Sequence, residues 1–255
     1  MKARHFIGLG IFALLVGGGM CAIASVQNDF NINTVFVDSS LEEKIISYDE
    51  EVLKVIYDGN AEDLIISYND ANETELVYYE NDNIKYNIAL DSSTSTLSIE
   101  KKIEKTWFNQ FPFGVFAYTP RCTLKLAKSV KELDIEFNAG RLVIEELDLN
   151  RFELELNAGS VTINNSKTNY MEVDIDAGSI YFNDCVIEEG NVLINAGSMN
   201  FNGSILTSFK VNVNAGSAVL NLEQDSSQFN VNGVGSGLIT IVYEVNAGSF
   251  KINYA

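Results

Sequence analysis

The fold is decided by residues Asn157–Ser217, which read NAGSVTINNSKTNYMEVDIDAGSIYFNDCVIEEGNVLINAGSMNFNGSILTSFKVNVNAGS. A four-residue motif, Asn/Asp-Ala-Gly-Ser, begins this stretch and recurs every 19 residues until its end. The same step reaches back to Asn138-Ala-Gly-Arg141. A fixed period of this length indicates a repeat protein in which each copy is one structural unit.

The copies after Ser217 are less regular. Gly233-Val-Gly-Ser236 keeps the 19-residue step but lacks the asparagine, and Asn246-Ala-Gly-Ser249 follows it after only 13 residues. Gly233 either marks a degenerate corner or belongs to a local insertion, because the surrounding Val-Asn-Gly-Val-Gly-Ser-Gly can also be aligned one residue later. The sequence leaves both alignments open.

Apolar residues alternate with polar ones between the motifs, as in Phe152, Leu154 and Leu156. This period of two is typical of a strand with one buried face, and a second short run, such as Val161 and Ile163, follows each motif. Two short strands cannot bury an apolar face alone, so successive copies must stack. The sequence therefore predicts an all-β protein, a parallel β-solenoid with 19-residue rungs.

The motif is predicted to form the corner between the two strands of each rung. Glycine adopts positive φ at little steric cost, and asparagine tolerates the left-handed region better than most residues. Stacking places equivalent corners about 4.8 Å apart, so that side-chain amides can hydrogen-bond from rung to rung. The predicted corner ladder consists of Asn138, Asn157, Asp176, Asn195, Asn214 and Asn246, with Gly159, Gly178, Gly197 and Gly216. Asp176 should interrupt the row of amides, and we interpret the row as a shape-determining turn rather than a ligand-binding surface.

The first half of the chain is predicted to be β-structure as well. Short alternating runs are separated by polar clusters typical of turns, such as Asp58-Gly59-Asn60. The predicted strands are Val52–Tyr57, Leu64–Tyr68, Glu75–Tyr79, Lys85–Leu90 and Thr96–Glu100. No 19-residue register is detectable in them.

An uncharged apolar run occupies residues 6–26. Its length matches the ~20 residues that a helix needs to cross a bilayer core, so one N-terminal transmembrane helix is predicted. Lys2 and Arg4 precede the run, which favours a cytoplasmic N-terminus and an extracellular body on a single-pass anchor. The chain is therefore divided into an N-terminal membrane anchor (residues 1–26), a juxtamembrane linker (27–49) and a β-repeat domain (50–255). The alternative is a secreted protein, because Ala22-Ile-Ala24 fits the small-residue pattern of a signal peptide cleaved near Ala24.

Composition excludes several function classes. The chain has 35 acidic and 17 basic residues and a formal net charge of -18, so it offers no basic surface for nucleic acid. Its single histidine, His5, precedes the apolar run, which leaves the β-repeat domain without histidine for acid-base chemistry or the commoner zinc sites. No calcium-loop pattern is present, and neither a metal nor a cofactor is expected. Cys122 and Cys185 are interpreted as small strand hydrophobes rather than a disulfide, since nothing in their spacing brings them together.

Residues 106–120, TWFNQFPFGVFAYTP, interrupt the strand pattern with the only tryptophan and both prolines of the chain. Exposed aromatic side chains are favoured anchors at interfaces and on sugar rings. The candidate binding residues are therefore Trp107, Phe108, Phe111, Phe113, Phe116 and Tyr118. The alternative, which the sequence favours, is that these side chains are buried over an open end or a flank of the solenoid.

The order of segments resembles a known family. A strand pair, Leu53-Lys-Val-Ile-Tyr57 and Asp63-Leu-Ile-Ile-Ser-Tyr68, is followed by Tyr86–Ile99, by Cys122-Thr-Leu-Lys-Leu126 and then by the rungs. Over about residues 50–255 this order resembles the bacterial "putative adhesin" family of β-strand-repeat domains of unknown function. The resemblance implies a membrane-anchored or exported envelope protein, and it carries no catalytic residues with it.

Two functions of different classes are compared. One is a polysaccharide-active β-helix enzyme, a lyase or glycoside hydrolase, which needs two carboxylates that converge in a cleft. Acidic pairs such as Glu145/Glu146 are present, but Glu153/Glu155 and Glu172/Asp174 alternate with core residues and should point outward along a flat face. The other, which we predict, is a protein that is not an enzyme but a non-catalytic extracytoplasmic binding or scaffolding module, adhesin-like, at the cell envelope.

Two kinds of partner are expected. The membrane is one, through the N-terminal helix. The last strand, residues 249–255, has only Lys251 to guard its edge, so a second copy of the chain or an envelope protein is expected to add a strand there. In the alternative, the high negative charge keeps monomers apart and the strand frays.

Overall fold

The computed structural model describes residues 41–103 and 120–255. The predicted membrane helix and the aromatic residues Trp107 to Tyr118 lie outside the described residues. Within them, no helix is long and apolar enough to cross a membrane. The described part of the chain contains fourteen strands and one turn of 3-10 helix, Ser226–Gln228. The strands are β1 Glu42–Tyr48, β2 Lys54–Gly59, β3 Glu62–Tyr68, β4 Thr74–Glu80, β5 Ile84–Asp91, β6 Thr96–Ile103, β7 Cys122–Leu126, β8 Glu132–Phe137, β9 Gly140–Glu145, β10 Asp148–Leu156, β11 Ser160–Asn164, β12 Lys167–Leu222, β13 Phe229–Val231 and β14 Ile239–Tyr254.

The strands form two stacked rows that are joined at the corners of the rungs. One row has the order β5-β6-β2-β8-β10-β12, and the other has the order β1-β4-β7-β3-β9-β11-β12. β12 belongs to both rows because its 56 residues continue through several corners. Neighbours along the two rows are parallel except for β1–β4, β4–β7 and β5–β6. The predicted all-β class is confirmed, and the predicted parallel solenoid is confirmed as a mostly parallel, solenoid-like fold in which β1–β4, β4–β7 and β5–β6 are antiparallel exceptions.

The 19-residue period of the sequence is the register of the stack. Phe152 lies beside Met171, and Val161 lies between Leu142 and Ile180. Because the step equals the repeat, equivalent side chains face the same way in every rung, and the apolar set points inward. The buried rings of Phe182, Phe201 and Phe209 illustrate this packing, with successive centroids 5.6 and 5.7 Å apart.

Strands from the first half extend the same stack in a different chain order. β2 lies between β6 and β8, and β3 lies between β7 and β9. Val55, for example, has Leu97 on one side and Leu133 on the other. Because these rungs and their neighbours are not consecutive along the chain, no fixed step is visible in this half of the sequence.

All five strands predicted in the first half are present as β2 to β6, but the paired body begins earlier than the sequence indicates. β1 lies within residues 27–49, the predicted linker, and pairs antiparallel with β4. The strand starts with the charged residues Glu42, Glu43 and Lys44, and Ile45 is 61% exposed. An edge strand with so little buried surface shows only a weak alternation, which explains why the sequence pattern misses it.

The C-terminal repeats contain a local insertion. After Leu222 the chain forms β13 and then returns as β14, which lies between β12 and β13, so that Val245 lies beside Val213 and Ala247 beside Ala215. Gly233 lies in the inserted segment and is exposed. The interpretation of Gly233-Val-Gly-Ser236 as a degenerate corner is therefore wrong. The alternative interpretation, a local insertion, is correct.

Candidate functional site

The strands that flank the predicted aromatic site are described, although the site itself is not. β6 ends at Ile103 and β7 begins at Cys122. These two strands pair with β2 and β3, which are joined through Asn60 and Ala61 alone. In chain order, the segment between β6 and β7 therefore takes the place of a short corner. Its two ends are held by the contacts described next.

A buried polar cluster lies where β6 ends. The side chains of Glu62 and Lys101 are 0% and 1% exposed, and their Oε2 and Nζ atoms are 3.2 Å apart. The hydroxyl of Tyr57 donates to Oε1 of Glu62 at 2.9 Å, and the hydroxyl of Tyr86 donates to Oε2 at 2.8 Å. Lys101 also donates to the carbonyl oxygen of Ala61 at 3.2 Å. One carboxylate thus links β2, β3, β5 and β6.

This cluster holds strands in place and leaves little capacity for chemistry. A charge taken out of water is tolerated when it is paired and its hydrogen bonds are satisfied, and removal of one partner then costs several kcal/mol. Both oxygens of Glu62 are occupied by tyrosine or lysine donors. The sequence interpretation missed Glu62 because it replaces glycine in the motif. The signal was present, since Asn60-Ala-Glu62 aligns with Asn138-Ala-Gly140 in the register of the stack.

Burial makes the titratable groups near the cluster unreactive at neutral pH. Desolvation, followed by the charge of Glu62, raises the pKa of the Cys122 thiol to about 11. Desolvation also raises the pKa of the hydroxyls of Tyr57 and Tyr86 well above the usual range. Away from the cluster, desolvation raises the pKa of the Cys185 thiol. Both cysteines are buried and unpaired. Because the thiolate is the nucleophilic form of cysteine, neither is poised to act as a nucleophile.

A second contact holds the end of the segment that precedes β7. Arg121 donates from both Nε and Nη2 to Oδ2 of Asp63, each at 3.1 Å. The hydroxyl oxygen of Tyr86 lies 3.4 Å from Sγ of Cys122, the first residue of β7. Arg121 and Cys122 therefore contact β3 and β5 at the start of β7.

The predicted corner ladder is a row of side-chain hydrogen bonds along the rim of the stack. Each bond runs from an amide Nδ2 to the Oδ1 one rung earlier: Asn157 to Asn138 at 2.8 Å, Asn195 to Asp176 at 2.8 Å, Asn214 to Asn195 at 2.8 Å and Asn246 to Asn214 at 2.9 Å. Asp176 has no amide to donate, and among the described residues no side-chain bond joins it to Asn157. The carboxylate therefore divides the row into two segments, and the amides are used by one another.

The corner glycines are required by the close approach of stacked backbones. A Cβ on Gly216 would lie 2.1 Å from the carbonyl oxygen of Gly197, and one on Gly178 would lie 2.6 Å from that of Gly159. φ is positive at Gly159, Gly178 and Gly216. The predicted positive φ of Gly197 is wrong, because its φ lies outside the left-handed region. At Gly197 the requirement comes from space alone, since a Cβ would lie 2.6 Å from the carbonyl oxygen of Gly178.

A second row of asparagines lines the other corner of the rungs, and the sequence interpretation missed it. Its bonds run from Asn183 to Asn164 at 2.9 Å, from Asn202 to Asn183 at 3.3 Å, from Asn221 to Asn202 at 2.7 Å and from Asn253 to Asn221 at 2.6 Å. The 19-residue spacing of the first four could have revealed the row. No shared glycine marks this corner, however, because Asn165 and Asp184 adopt the left-handed conformation there.

Two of the three acidic pairs of the enzyme hypothesis lie on open strand faces, and the third, Glu145/Glu146, lies at the second corner. Glu153 lies beside Glu172, and Glu155 beside Asp174, on adjacent parallel strands. Arg151 lies among them and donates from Nε to Oε1 of Glu153 at 2.7 Å. Side chains in one row of a flat face point in the same direction, so these carboxylates do not converge on a point where a substrate bond could lie.

Two hollows in the described part of the chain are small for a ligand. An internal cavity of about 20 Å³, bordered by Phe152, Met171 and Phe182 among others, has space for about one water molecule. A polar hollow of about 210 Å³ lies at the second corner, and it is lined by Glu145, Glu146, Asn164, Asn165, Asn183 and Asp184. Ligand pockets usually enclose roughly 300–1,000 Å³. The flanks and ends of the stack, rather than these hollows, are therefore the candidate functional surfaces.

Comparisons with known proteins agree with this fold. The Toastrack DUF4097 family model matches residues 55–252. The crystal structure of a putative adhesin from Bacteroides fragilis NCTC 9343 is similar with a TM-score of 0.53 and 15% identity, and the alignment covers 83% of this chain and 97% of that chain. A putative lipid binding protein from Parabacteroides distasonis ATCC 8503 aligns with a TM-score of 0.44 and 18% identity over 85% of this chain and 98% of that chain. No curated protein matches the chain. At these identities the structural likeness concerns the fold alone.

Proposed function

Because this chain belongs to the Toastrack DUF4097 family, we propose that it is a non-catalytic solenoid that binds or scaffolds other molecules at the bacterial cell envelope. In this proposal residues 1–26 anchor the protein in the membrane, and the β-repeat body lies outside the cell. The description of the Bacteroides fragilis protein as a "putative adhesin" is consistent with such a role. The binding residues are Trp107, Phe108, Phe111, Phe113, Phe116 and Tyr118, in the segment between β6 and β7.

The observation that supports the proposal concerns the base of the segment: the strands that flank it, β6 and β7, are tied to neighbouring strands by side-chain contacts. Lys101 holds the end of β6 through its buried ion pair with Glu62, and Arg121 holds the start of β7 through Asp63. A segment whose two ends are fixed loses less conformational freedom on binding than one on mobile ends. Aromatic side chains on such a base are suited to anchor a partner surface.

The binding role is tested with the full-length chain and the envelope fraction of its host. Wild-type chain, a Trp107→Ala/Phe111→Ala/Phe113→Ala variant and a Tyr181→Ala control are cross-linked to envelope proteins and recovered. Tyr181 is a suitable control because it is an aromatic residue 42% exposed on a strand face. We expect the same recovered proteins with wild type and the control, and their loss with the triple variant. Equal recovery in all three samples would show that these aromatic residues are not the binding site.

The non-catalytic role and the location need separate measurements. The full-length chain is incubated with purified cell-wall polysaccharide, and new reducing ends and unsaturated products are measured; their accumulation would overturn the non-catalytic role. Intact cells are treated with proteinase K, which should digest the body of the anchored protein. A body protected until the cells are lysed would overturn the location. A mature N-terminus at Ser25 would instead replace the anchor by a signal peptide and make the protein secreted.

A further inference from the structure

The first rung of the described stack has a strand in one row only. We call the row β5-β6-β2-β8-β10-β12 the first row and the row β1-β4-β7-β3-β9-β11-β12 the second row. The four rungs next to it have a strand in both rows, namely β5 with β4, β6 with β7, β2 with β3, and β8 with β9. β1 lies beyond β4 in the second row, whereas no described strand lies beyond β5 in the first row.

The backbone of β5 is open to pairing over residues 87–91. The N-H of Tyr86 points away from β6 and donates to Oε1 of Glu80 at 2.8 Å, so the start of this edge is already covered. N-H groups alternate between the two edges of a strand, and those of Ile88 and Leu90 therefore face the same edge. Within residues 41–103 and 120–255, no strand pairs with them. Proteins usually cover such edges.

The inward side chains of β5 are also incompletely buried. Those that pack on the core are half-buried, namely Tyr86, Ile88 and Leu90. Their neighbours in β6 are at most 4% exposed, namely Lys101, Ile99 and Leu97. The difference is the surface that one further strand in the first row would cover.

The winding of the chain indicates which segment reaches this position. In β2–β3, β8–β9 and β10–β11 the chain runs from the first row through a short corner into the second row. β4 and β5 run the opposite way, and each is antiparallel to its inner neighbour. β1 is antiparallel to β4 and therefore runs in the original direction, and its first residue, Glu42, lies beside Glu80, where β4 ends before the corner to β5. A chain with this winding enters β1 from the first row, beside β5.

The sequence before β1 has the pattern of a strand. Residues 30–37, FNINTVFV, are rich in β-branched and aromatic residues and lie between the polar clusters Gln27-Asn28-Asp29 and Asp38-Ser39-Ser40. The even positions make one mainly apolar face, Phe30, Ile32, Thr34 and Phe36. The opposite face begins with two asparagines, Asn31 and Asn33.

We propose that residues 31–35 form a strand that pairs antiparallel with residues 87–91 of β5 and completes the first rung. One continuous piece of chain then supplies both rows of this rung, as it does in β2–β3. The pairing begins beyond Tyr86, whose N-H keeps its bond to Glu80. The proposal does not involve the aromatic segment between β6 and β7.

Two arguments give the same register. Residues 81–83 connect β4 to β5, and a corner of equal length before β1, residues 39–41, places Thr34 opposite Ile88 and Ile32 opposite Leu90. The hydrophobic pattern requires the same arrangement, because it sets the apolar even positions against the inward residues of β5. A one-residue slip would turn the asparagines inward.

The strand also shortens the connection to the proposed membrane anchor. Residues 27–30 then link the anchor to the body, and fully extended they span at most about 14 Å. Without the strand, residues 27–41 form the link and span up to about 50 Å. The β-repeat body is therefore held close to the bilayer. This consequence rests on the proposed anchor, whereas the pairing does not.

Disulfide trapping tests the pairing in the full-length chain in a Cys21→Ser background. Asn33→Cys/Ala89→Cys should form an intramolecular disulfide on mild oxidation, since opposite residues of antiparallel strands lie within the Cα separation that a disulfide accepts. The matched control is Asn33→Cys/Ser98→Cys. Ser98 is exposed and lies beside Ala89, but one strand further from the proposed position, so this pair should remain reduced.

Three results would overturn the proposal. They are no disulfide between positions 33 and 89, equal disulfide formation in the control, and a disulfide that joins two chains instead of one. The last result would assign the edge to a second copy. A mature N-terminus at Ser25 would refute the anchor without affecting the disulfide, so the two failures can be distinguished.

The rate of disulfide formation tests the inward face. In the Asn33→Cys/Ala89→Cys chain, Ile32→Lys should slow the reaction about tenfold or more, because it places a charge against the core. Asn31→Lys, the matched control on the outward face, should not slow it. Equal rates in the two variants would contradict the proposed register.

Discussion

Glu62 and Lys101 form a buried ion pair, with Oε2 and Nζ 3.2 Å apart. Glu62 lies at the corner position that an uncharged glycine, Gly140, occupies in the adjacent rung. The pair joins β3 to β6, which are separated by β4 and β5 along the chain. It therefore helps to place β6 beside β2, out of chain order, at the end of the stack where the 19-residue step does not specify the neighbours. The first prediction follows from this position.

Lys101→Met should destabilise the protein by about 3–5 kcal/mol, because it leaves the Glu62 carboxylate buried without its cation. The double variant Lys101→Met/Glu62→Gln should be less destabilised than Lys101→Met, since it buries no charge and the amide can accept from one tyrosine hydroxyl through its oxygen and donate to the other through its nitrogen. Urea unfolding of the full-length chain measures both variants and Glu62→Gln alone. A double variant as unstable as the sum of the two single variants would show that the charges are not coupled.

The corner glycines give a prediction with an internal control. Gly216→Ala should cost on the order of 3 kcal/mol, because φ is 140° and the new Cβ would lie 2.1 Å from the carbonyl oxygen of Gly197. Gly233 also has positive φ, 81°, but no atom lies within 4 Å of a Cβ there. Gly233→Ala should therefore cost only about 1 kcal/mol. Equal losses in the two variants would mean that conformation alone, and not stacking, requires glycine at the corner.

Asp176→Asn should stabilise the protein by about 0.5 kcal/mol, since the new amide can donate to Asn157 and join the two segments of the corner ladder. The reverse change one rung later, Asn195→Asp, is the matched control. It removes the 2.8 Å bond to Asp176 and places two carboxylates side by side, so it should destabilise the protein. Shifts of the urea midpoint with the same sign in both variants would contradict the ladder.

Stability should depend on pH in opposite ways at two aspartates. Desolvation, followed by Glu172 and Asp176, raises the pKa of Asp174 above its ordinary value of 3.8. A raised pKa means that stability is greatest below the unfolded value and is lost as pH rises through the folded value. Asp174→Asn should therefore raise the melting temperature at pH 7, and this gain should disappear below about pH 3.8.

Asp225 provides the control of opposite sign. Hydrogen bonds from Ser227, side chain first and backbone second, lower the pKa of Asp225. Its contribution to stability is present above the unfolded pKa and is lost as pH falls through the folded value. Asp225→Ala should therefore lower the melting temperature at pH 7 and have less effect in acid. For each variant the difference in melting temperature from wild type is measured against pH. Differences that change in the same direction in both variants would contradict this assignment.

The sequence predicts most of the regular part of this fold and little of its exceptions. Phe152, Met171 and their equivalents reveal the rungs because each step in the stack is also a step along the chain. Val55 and Leu133 are neighbours in the stack but not in consecutive repeats, so a search for a fixed period cannot relate them. Glu62 was missed because burial of a carboxylate depends on the partners that the fold brings to it, and those come from three other strands.

The edge of β14 is likewise predicted only in part from the sequence. The edge of residues 249–255 is predicted from the sequence because only Lys251 guards it, but its extent depends on the insertion between Leu222 and Ile239. That insertion carries β13 over Ile239 to Ile241 and leaves the rest of the edge unpaired by described strands.

Stacking of the Asn246 corner directly on the Asn214 corner is the relation on which the register of β14 and the insertion between Leu222 and Ile239 both depend. It is tested by disulfide formation within the full-length chain in a Cys21→Ser background. Adjacent strands lie about 4.8 Å apart, within the Cα separation that a disulfide accepts. Asn214→Cys/Asn246→Cys should oxidise to an intramolecular disulfide in the folded protein, and Asn214→Cys/Gly233→Cys, the pair that a constant 19-residue step would bring together, should remain reduced. A disulfide between positions 214 and 233 with none between 214 and 246 would contradict the stacking.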